Sequence, residues 1–275
     1  MINALILSAL LFCNPILNEN TSIDQEISEL LSNELPAGEA LIWHLDHSGW
    51  AIKTKTCLLI FDYWERRKRP ENSSLEYGFI NPEEIKNLKV VVFSSHSHSD
   101  HFDPVILEWE KTVSDITYVF GWQAGNKPGH IYCKPEREKF EIGGIKVYTV
   151  VHEFDNIPES AFLVEVDGVT IYHAGDHSGS KGAANEVFKS NIEYLVSLNK
   201  SVDFAFTPTW GGEDYMIESL KPRFTFPMHN ASSFRQYAKF ALKSKSKQLP
   251  TVVIAAEKHG HLFQYKENKV SSKNK

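Results

Sequence analysis

The run His96-Ser97-His98-Ser99-Asp100-His101 sets three imidazoles and a carboxylate side by side. Neutral imidazole and ionised carboxylate are the ligands that divalent transition metals, zinc especially, prefer. So dense a set is hard to account for as a solvated loop, and it points to a metal site. The apolar run 89–93 immediately before it reads as a buried strand, which would deliver the ligands to the edge of a rigid sheet.

Three further residues repeat that placement. His152 follows the apolar stretch 147–151. Asp176 closes Tyr172-His173-Ala174-Gly175-Asp176 after a strand expected at 169–172. His229 sits in Pro227-Met228-His229-Asn230 after one expected at 224–227. Each lies just past the C-terminal end of an expected strand, and such ends converge where α/β proteins place their ligand sites.

The remaining pattern supplies a frame for these strands. Residues 22–35 have the apolar spacing of an amphipathic helix, stopped by Pro36-Ala37-Gly38. Short β segments follow at 41–45, 50–53 and 57–61. Asp103 can cap a helix with Pro104 at its first position and Val105, Ile106 and Trp109 facing inward. Strands are expected at 116–120, 142, 146–151, 161–166 and 169–173, with Asp167-Gly168 as a two-residue hairpin turn. Helices at 185–198, 212–220 and 232–244 then alternate with strands at 202–206, 224–227 and 251–255. No Gly/Ser linker or composition shift divides the chain. The reading is a layered α/β domain over 41–265, preceded by an N-terminal extension at 1–40 and followed by a loose polar tail at 266–275.

A formal charge of −6 argues against a nucleic-acid binder held by phosphate attraction. The basic run Arg66-Arg67-Lys68-Arg69 reads as a solvated loop or as a local attractor for an anionic substrate. Cys13, Cys57 and Cys133 form no CxxC pair, so cysteine zinc sites are unsupported, and the count fits a reducing compartment, hence the cytoplasm. The apolar stretch 4–12 is too short to span a bilayer and has no basic residue before it; an atypical export signal is the alternative to a packed terminal helix.

The HxHxDH run, then a lone His, an Asp and a last His, each after a strand, resembles the metallo-β-lactamase superfamily. The likeness extends from about Leu41 to about Ala256. Trp43-His44-Leu45-Asp46-His47-Ser48-Gly49-Trp50, Leu58-Leu59-Ile60-Phe61-Asp62, the Tyr-His-Ala-Gly-Asp run and Pro227-Met228-His229 resemble the branch of ascorbate-6-phosphate lactonase and of phospholipases of the D type that release N-acylethanolamines. The resemblance implies a four-layer αββα sandwich and a pair of divalent ions, Zn2+ first, with Mn2+ or Fe2+ as alternatives. His96, His98 and His152 would hold one ion and Asp100, His101 and His229 the other, with Asp176 bridging. Asp100 would also handle a proton, beside a hydroxide shared by the ions. The implied activity is hydrolysis of an ester, lactone or phosphodiester in a small or lipid-like molecule. A nuclease of the same fold and a non-catalytic ligand-binding member are the alternatives. Diiron oxygen-reducing members resemble HxExD at the first motif; His98 stands in place of that Glu here, which favours hydrolysis over redox work.

Weaker positions complete the reading. Trp210 and Tyr215, in and after the loop Thr207-Pro208-Thr209-Trp210-Gly211-Gly212, are expected to wall a substrate pocket. His173 reads as a buried strand-end residue, His177 as an exposed loop residue, His47 as a neighbour of the metal site, and His259 and His261 as surface or edge residues.

Overall fold

The computed structural model describes residues 23–71, 73–179 and 183–273; the apolar start and Cys13 lie outside them. After helix α1 (Ile23–Ser32), strands β1 (Ala40–His44), β2 (Trp50–Lys53), β3 (Leu58–Phe61), β4 (Val90–Ser94), β5 (Ile116–Phe120) and β6 (His130–Tyr132) build most of a first sheet, with the short helix α2 (Pro82–Ile85) between β3 and β4. The second sheet comprises β7 (Lys139–Ile142), β8 (Ile145–Phe154), β9 (Ile157–Val166), β10 (Val169–His173), β11 (Phe204–Pro208), β12 (Phe224–Met228) and β13 (Val252–Val253). Helices α3 (Ala183–Ser197), α4 (Glu213–Leu220) and α5 (Phe234–Ser246) connect its later strands. The chain then returns to the first sheet through β14 (Leu262–Lys266) and β15 (Lys269–Ser272). The spatial orders are β15-β14-β1-β2-β3-β4-β5-β6 and β13-β12-β11-β10-β9-β8-β7.

Side chains alternate between strand faces, and in the first sheet both faces are covered. Ile42, Trp50, Leu59 and Val91 point into the core shared with Val147, Phe162, Ile171 and Phe226 of the second sheet. Leu41, Trp43, Ile60 and Val92 point the other way, onto Ile27, Leu31, Ile106 and Trp109. This explains why β1, β3 and β4 read as unbroken apolar runs. On the second sheet α3 packs against β8 and α4, and α5 against β12 and β13. The arrangement is the αββα sandwich.

Local chemistry fixes the elements that carry the site. The β9–β10 hairpin turns at Asp167 and Gly168, both at positive φ (48° and 84°), the geometry that Asp-Gly favours. The Asp167 carboxylate accepts hydrogen bonds from Thr54 Oγ1 and Thr56 N, each 2.7 Å, and so pins this hairpin to the first sheet. Asp103 caps the segment Pro104–Lys111 by accepting from Val105 N at 3.0 Å; the turn is 3₁₀ rather than the expected α-helix, with Ile106 and Trp109 buried.

Three expectations are corrected. The tail does not leave the fold at Lys266: β14 pairs with β1 and β15 folds back on it, because Phe263 and Tyr265 alternate into the shared core. His261 is buried, its Nε2 2.7 Å from Ser272 Oγ, and is no surface residue. The basic run is not a free loop: Arg66 and Arg67 pair with the buried Asp46, and Arg69 with Glu65, while Arg66 and Lys68 remain exposed to solvent. Cys57 and Cys133 are buried free thiols, and burial pushes Cys133 up to about 12.

Candidate metal centre

The loops after β4, β10 and β12 converge at one edge of the sandwich, where they meet the turn end of the β8–β9 ladder. His96, His98, Asp100 and His101 follow β4, Asp176 follows β10, and His229 follows β12. His152 differs from its expected place: β8 continues to Phe154, and His152 lies within it, directly opposite Glu159 of β9.

Several site residues hold uncommon backbone conformations. His47, Asp62 and His229 have φ of 49°, 42° and 69°, and Asn230, Ala231 and Ser232 continue the positive run. Each such residue costs on the order of 1–3 kcal/mol and persists only where its surroundings enforce it. Here the enforcing contacts are explicit. His229 N donates to His47 O at 2.9 Å, His47 N to Asp46 Oδ1 at 2.8 Å, and Ser232 Oγ to the same Asp46 oxygen at 2.5 Å. Gly175, at φ 55°, is required: a Cβ there would lie 2.5 Å from the Ser95 Cβ.

The ligand atoms face one another at close range without hydrogen-bond geometry. His101 Nε2 is 3.2 Å from Asp176 Oδ1, and His229 Nε2 is 3.4 Å from the same oxygen. His96 Nε2 lies 3.9 Å from Asp176 Oδ2, and His229 Nε2 3.9 Å from Asp100 Oδ2. The Nε2 atoms of His96, His101 and His229 and the Oδ1 of Asp176 are buried and have no hydrogen-bond partner. Buried polar atoms without partners are costly, and a divalent cation among these would satisfy them together. Among the described residues, three groups have donor atoms close enough to share an ion: His96-His101-Asp176, His47-Asp100-His101-His229, and His96-His98-Glu159. The donor set therefore fits metal binding. His152 enters this network through Glu159, its Nε2 standing 2.7 Å from Glu159 Oε2.

A hydrogen-bond relay behind the ligands sets their tautomers. Asp62, fully buried, accepts from Ser95 N at 2.7 Å, from Ser95 Oγ at 2.8 Å and from His101 Nδ1 at 2.7 Å. Because Ser95 Oγ spends its proton on Asp62, it accepts from His96 Nδ1 at 3.0 Å. Both imidazoles thus carry hydrogen on Nδ1 and turn a bare Nε2 to the centre. His47 is set the opposite way. Its Nδ1 accepts from Ala231 N at 2.9 Å, which leaves the proton on Nε2, 3.3 Å from Asp100 Oδ2. His47 therefore turns an N–H rather than a lone pair toward Asp100, although its distances would permit a ligand and this nitrogen is itself buried without a satisfied hydrogen bond.

Ionisation follows the same logic. Burial, then His101, hold His96 down at about 3, so it is neutral. The His47 imidazole beside it is the largest influence holding the Asp100 carboxyl below the usual range. Burial would raise Asp176, yet His101 and His229 outweigh it and keep it ionised. Burial would lower His101, yet the Asp176 and Asp62 carboxylates beside it raise it.

The profile described as a beta-lactamase superfamily domain matches residues 41–229. The chain belongs to the metallo-β-lactamase superfamily. Its relatives include a UPF0173 metal-dependent hydrolase of Thermococcus onnurineus, 29% identical over 166 residues, which cover 54% of this chain and 69% of that one. Another, from Bacillus velezensis, is 25% identical over 208 residues, covering 66% and 82%. Among solved structures, Igni18, a metallo hydrolase of Ignicoccus hospitalis, superposes with a TM-score of 0.61 at 17% identity, covering 83% of this chain and 99% of that one. A possible metal-dependent hydrolase of Veillonella parvula gives 0.54 at 14% identity, covering 82% and 99%. The structural likenesses show the shared fold.

Within this superfamily member, a cavity of about 210 Å³ opens beside Asp176, lined by His152, Glu153, Phe154, Glu159, Asp176, Ser178 and Trp210. Phe154 and Trp210, on its rim, are 55% and 45% exposed. Trp210 stands edge-on to His229 at 4.1 Å between ring centroids, its Nε1 donating to Ser178 Oγ at 2.7 Å. Tyr215 does not wall the pocket: its hydroxyl meets Glu193 at 3.3 Å and its ring packs near Phe188. His177 is buried between Tyr172 and Asn191, contrary to the exposed position expected. His173 is a buried strand-end residue, its Nε2 3.0 Å from Ser48 O. Glu159 went unrecognised in the sequence because Pro158-Glu159-Ser160 precedes the apolar run that marks the strand. Asp62 carried a usable signal: it ends an apolar strand, as Asp176 does.

Proposed function

We propose that this chain is a metal-dependent hydrolase with a dinuclear site of the zinc type, cleaving an ester, lactone or phosphodiester bond in a small or lipid-like molecule. The supporting observation is the set of orphaned donor atoms on His96, His101, His229 and Asp176, gathered beside a cleft with an aromatic rim. His96, His98 and His152 would hold one ion, and Asp100, His101 and His229 the second, with Asp176 between them. Two bound divalent ions would supply Lewis acidity and make hydroxide available near neutral pH.

The protein's own part follows from its geometry. Asp62 and Ser95 lock the rings of His96 and His101, so the centre is preorganised before substrate arrives. His47 Nε2 stands 3.3 Å from Asp100 Oδ2, and the Asp100 carboxylate would take the proton of the attacking water and return it to the leaving group. The side chains of His98 and Asp100 are 37% and 33% exposed, so this side of the centre is open to substrate. Phe154 and Trp210 would grip an apolar portion of the substrate and exclude water from the reacting bond.

The test is a substrate panel of aryl esters, lactones, phosphodiesters and an oligonucleotide, run on metal-loaded and chelator-treated protein. Metal-dependent turnover of one of the first three classes is expected. No turnover of any with both ions bound, or cleavage of the oligonucleotide alone, contradicts the proposal.

A further inference from the structure

Glu159 lies on β9 among the imidazoles of His96, His98 and His152, and only 3% of its side chain is exposed. Burying an ionised carboxylate demands a compensating cation or a full set of donors. Among the described residues, no lysine or arginine stands within ion-pair distance of it. Its Oε2 is 2.7 Å from His152 Nε2. Its Oε1 lies 3.8 Å from His96 Nε2 and 3.9 Å from His98 Nδ1, too far to be hydrogen-bonded.

The His96 contact is decisive. Ser95 engages Nδ1 of that ring, so its Nε2 presents a lone pair. Glu159 Oε1 presents another. Two lone pairs facing across 3.8 Å in a buried space repel unless a cation lies between them. Donors that each bind one ion at about 2.0–2.2 Å are separated by distances of this size.

We infer that Glu159 is itself a ligand of the first ion, beside His96 and His98 and in addition to the shared Asp176. The inference rests on the metal-centre reading above and extends it. The carboxylates Asp100, Asp176 and Glu159 then face a pair of dications, and each ion contacts two carboxylates. Added carboxylate at the first position favours harder ions such as Mn2+ or Fe2+ over what an all-imidazole set would hold.

The experiment compares the full chain with Glu159→Gln, which keeps size and a hydrogen-bonding oxygen but removes the charge. Metal-free protein is dialysed against Co2+, Zn2+ or Mn2+; bound metal is measured by elemental analysis and the cobalt complex by its visible spectrum. Wild type should hold two ions. Glu159→Gln should bind the ion at one position at least about 10-fold more weakly, with a changed cobalt spectrum and a larger loss for Mn2+ than for Zn2+. Two ions bound with unchanged affinity and an unchanged spectrum would overturn the inference while leaving the dinuclear reading intact. Wild type that binds no ion, or only one, would overturn both. If Glu159→Gln does not fold, Glu159→Asp, which keeps the charge and withdraws the donor, carries the test: its cobalt spectrum should differ from wild type, and an identical one refutes the ligand role.

Discussion

The carboxylate of Asp62 and the imidazole of His101 share a hydrogen bond of 2.7 Å with both side chains fully buried. That contact fixes which nitrogen of His101 faces the centre. Asp62→Asn removes the charge that holds the Nδ1–H tautomer. Metal affinity should fall about 10- to 100-fold, read by competition with a chromophoric chelator. Unchanged affinity in a folded variant would show that Asp62 has no part in orienting the ligand.

Asp100 and Asp176 should differ in how many ions they affect. Asp100→Asn is expected to lower kcat about 100- to 10,000-fold through loss of its proton role and to weaken the second ion alone. Asp176→Ala should abolish turnover and reduce bound metal, since it removes the carboxylate shared by both positions. Elemental analysis alongside the assay distinguishes the two, and full activity in either variant contradicts the mechanism.

His47 tests the tautomer argument. With its Nδ1 accepting from Ala231 N, the ring has no free lone pair for a metal. His47→Ala should therefore keep the wild-type metal content while turnover drops about 10-fold or more. Loss of an ion from this variant would make His47 a ligand.

The aromatic rim predicts a selective effect on substrate binding. Trp210→Ala should raise KM for substrates with apolar groups about 10-fold, equivalent to part of the roughly 1.5–3 kcal/mol of a buried apolar side chain. Polar substrates should be affected less. Tyr215→Phe should leave KM unchanged, because its hydroxyl serves Glu193.

Acid sensitivity follows from His44. Burial, then His259, lower it from 6.5 to about 3. In the unfolded chain it titrates near 6.5. As pH falls below that value the unfolded state takes up a proton that the folded state refuses, so stability is lost. The slope is about 1.4 kcal/mol per pH unit down to pH near 3. His44→Phe should flatten this part of the stability–pH curve, measured by denaturant unfolding of metal-free protein.

Much of this architecture was legible because strands covered on both faces are continuous apolar runs, as at β3 and β4, and because Asp167-Gly168 and Asp103-Pro104 mark a hairpin and a helical turn through local chemistry. The positions of His96 to His101, Asp176 and His229 at strand ends were legible for the same reason. What was hidden depends on partners distant in sequence. The β14–β15 hairpin is polar on alternate positions and gains its place only by pairing with β1. Glu159 acquires meaning from cross-strand register with His152, which no local pattern encodes. The arginines at 66 and 67 are ordered by Asp46, buried because the loop at Ser232 closes over it.

The central claim is that these side chains gather a pair of ions. A crystal structure of the metal-loaded protein, with anomalous scattering recorded at the metal edge, tests it most directly. Two peaks about 3.5–4 Å apart are predicted, one beside His96, His98 and His152, the other beside Asp100, His101 and His229, with Asp176 touching both. A lone peak, or peaks away from these residues, would contradict the account.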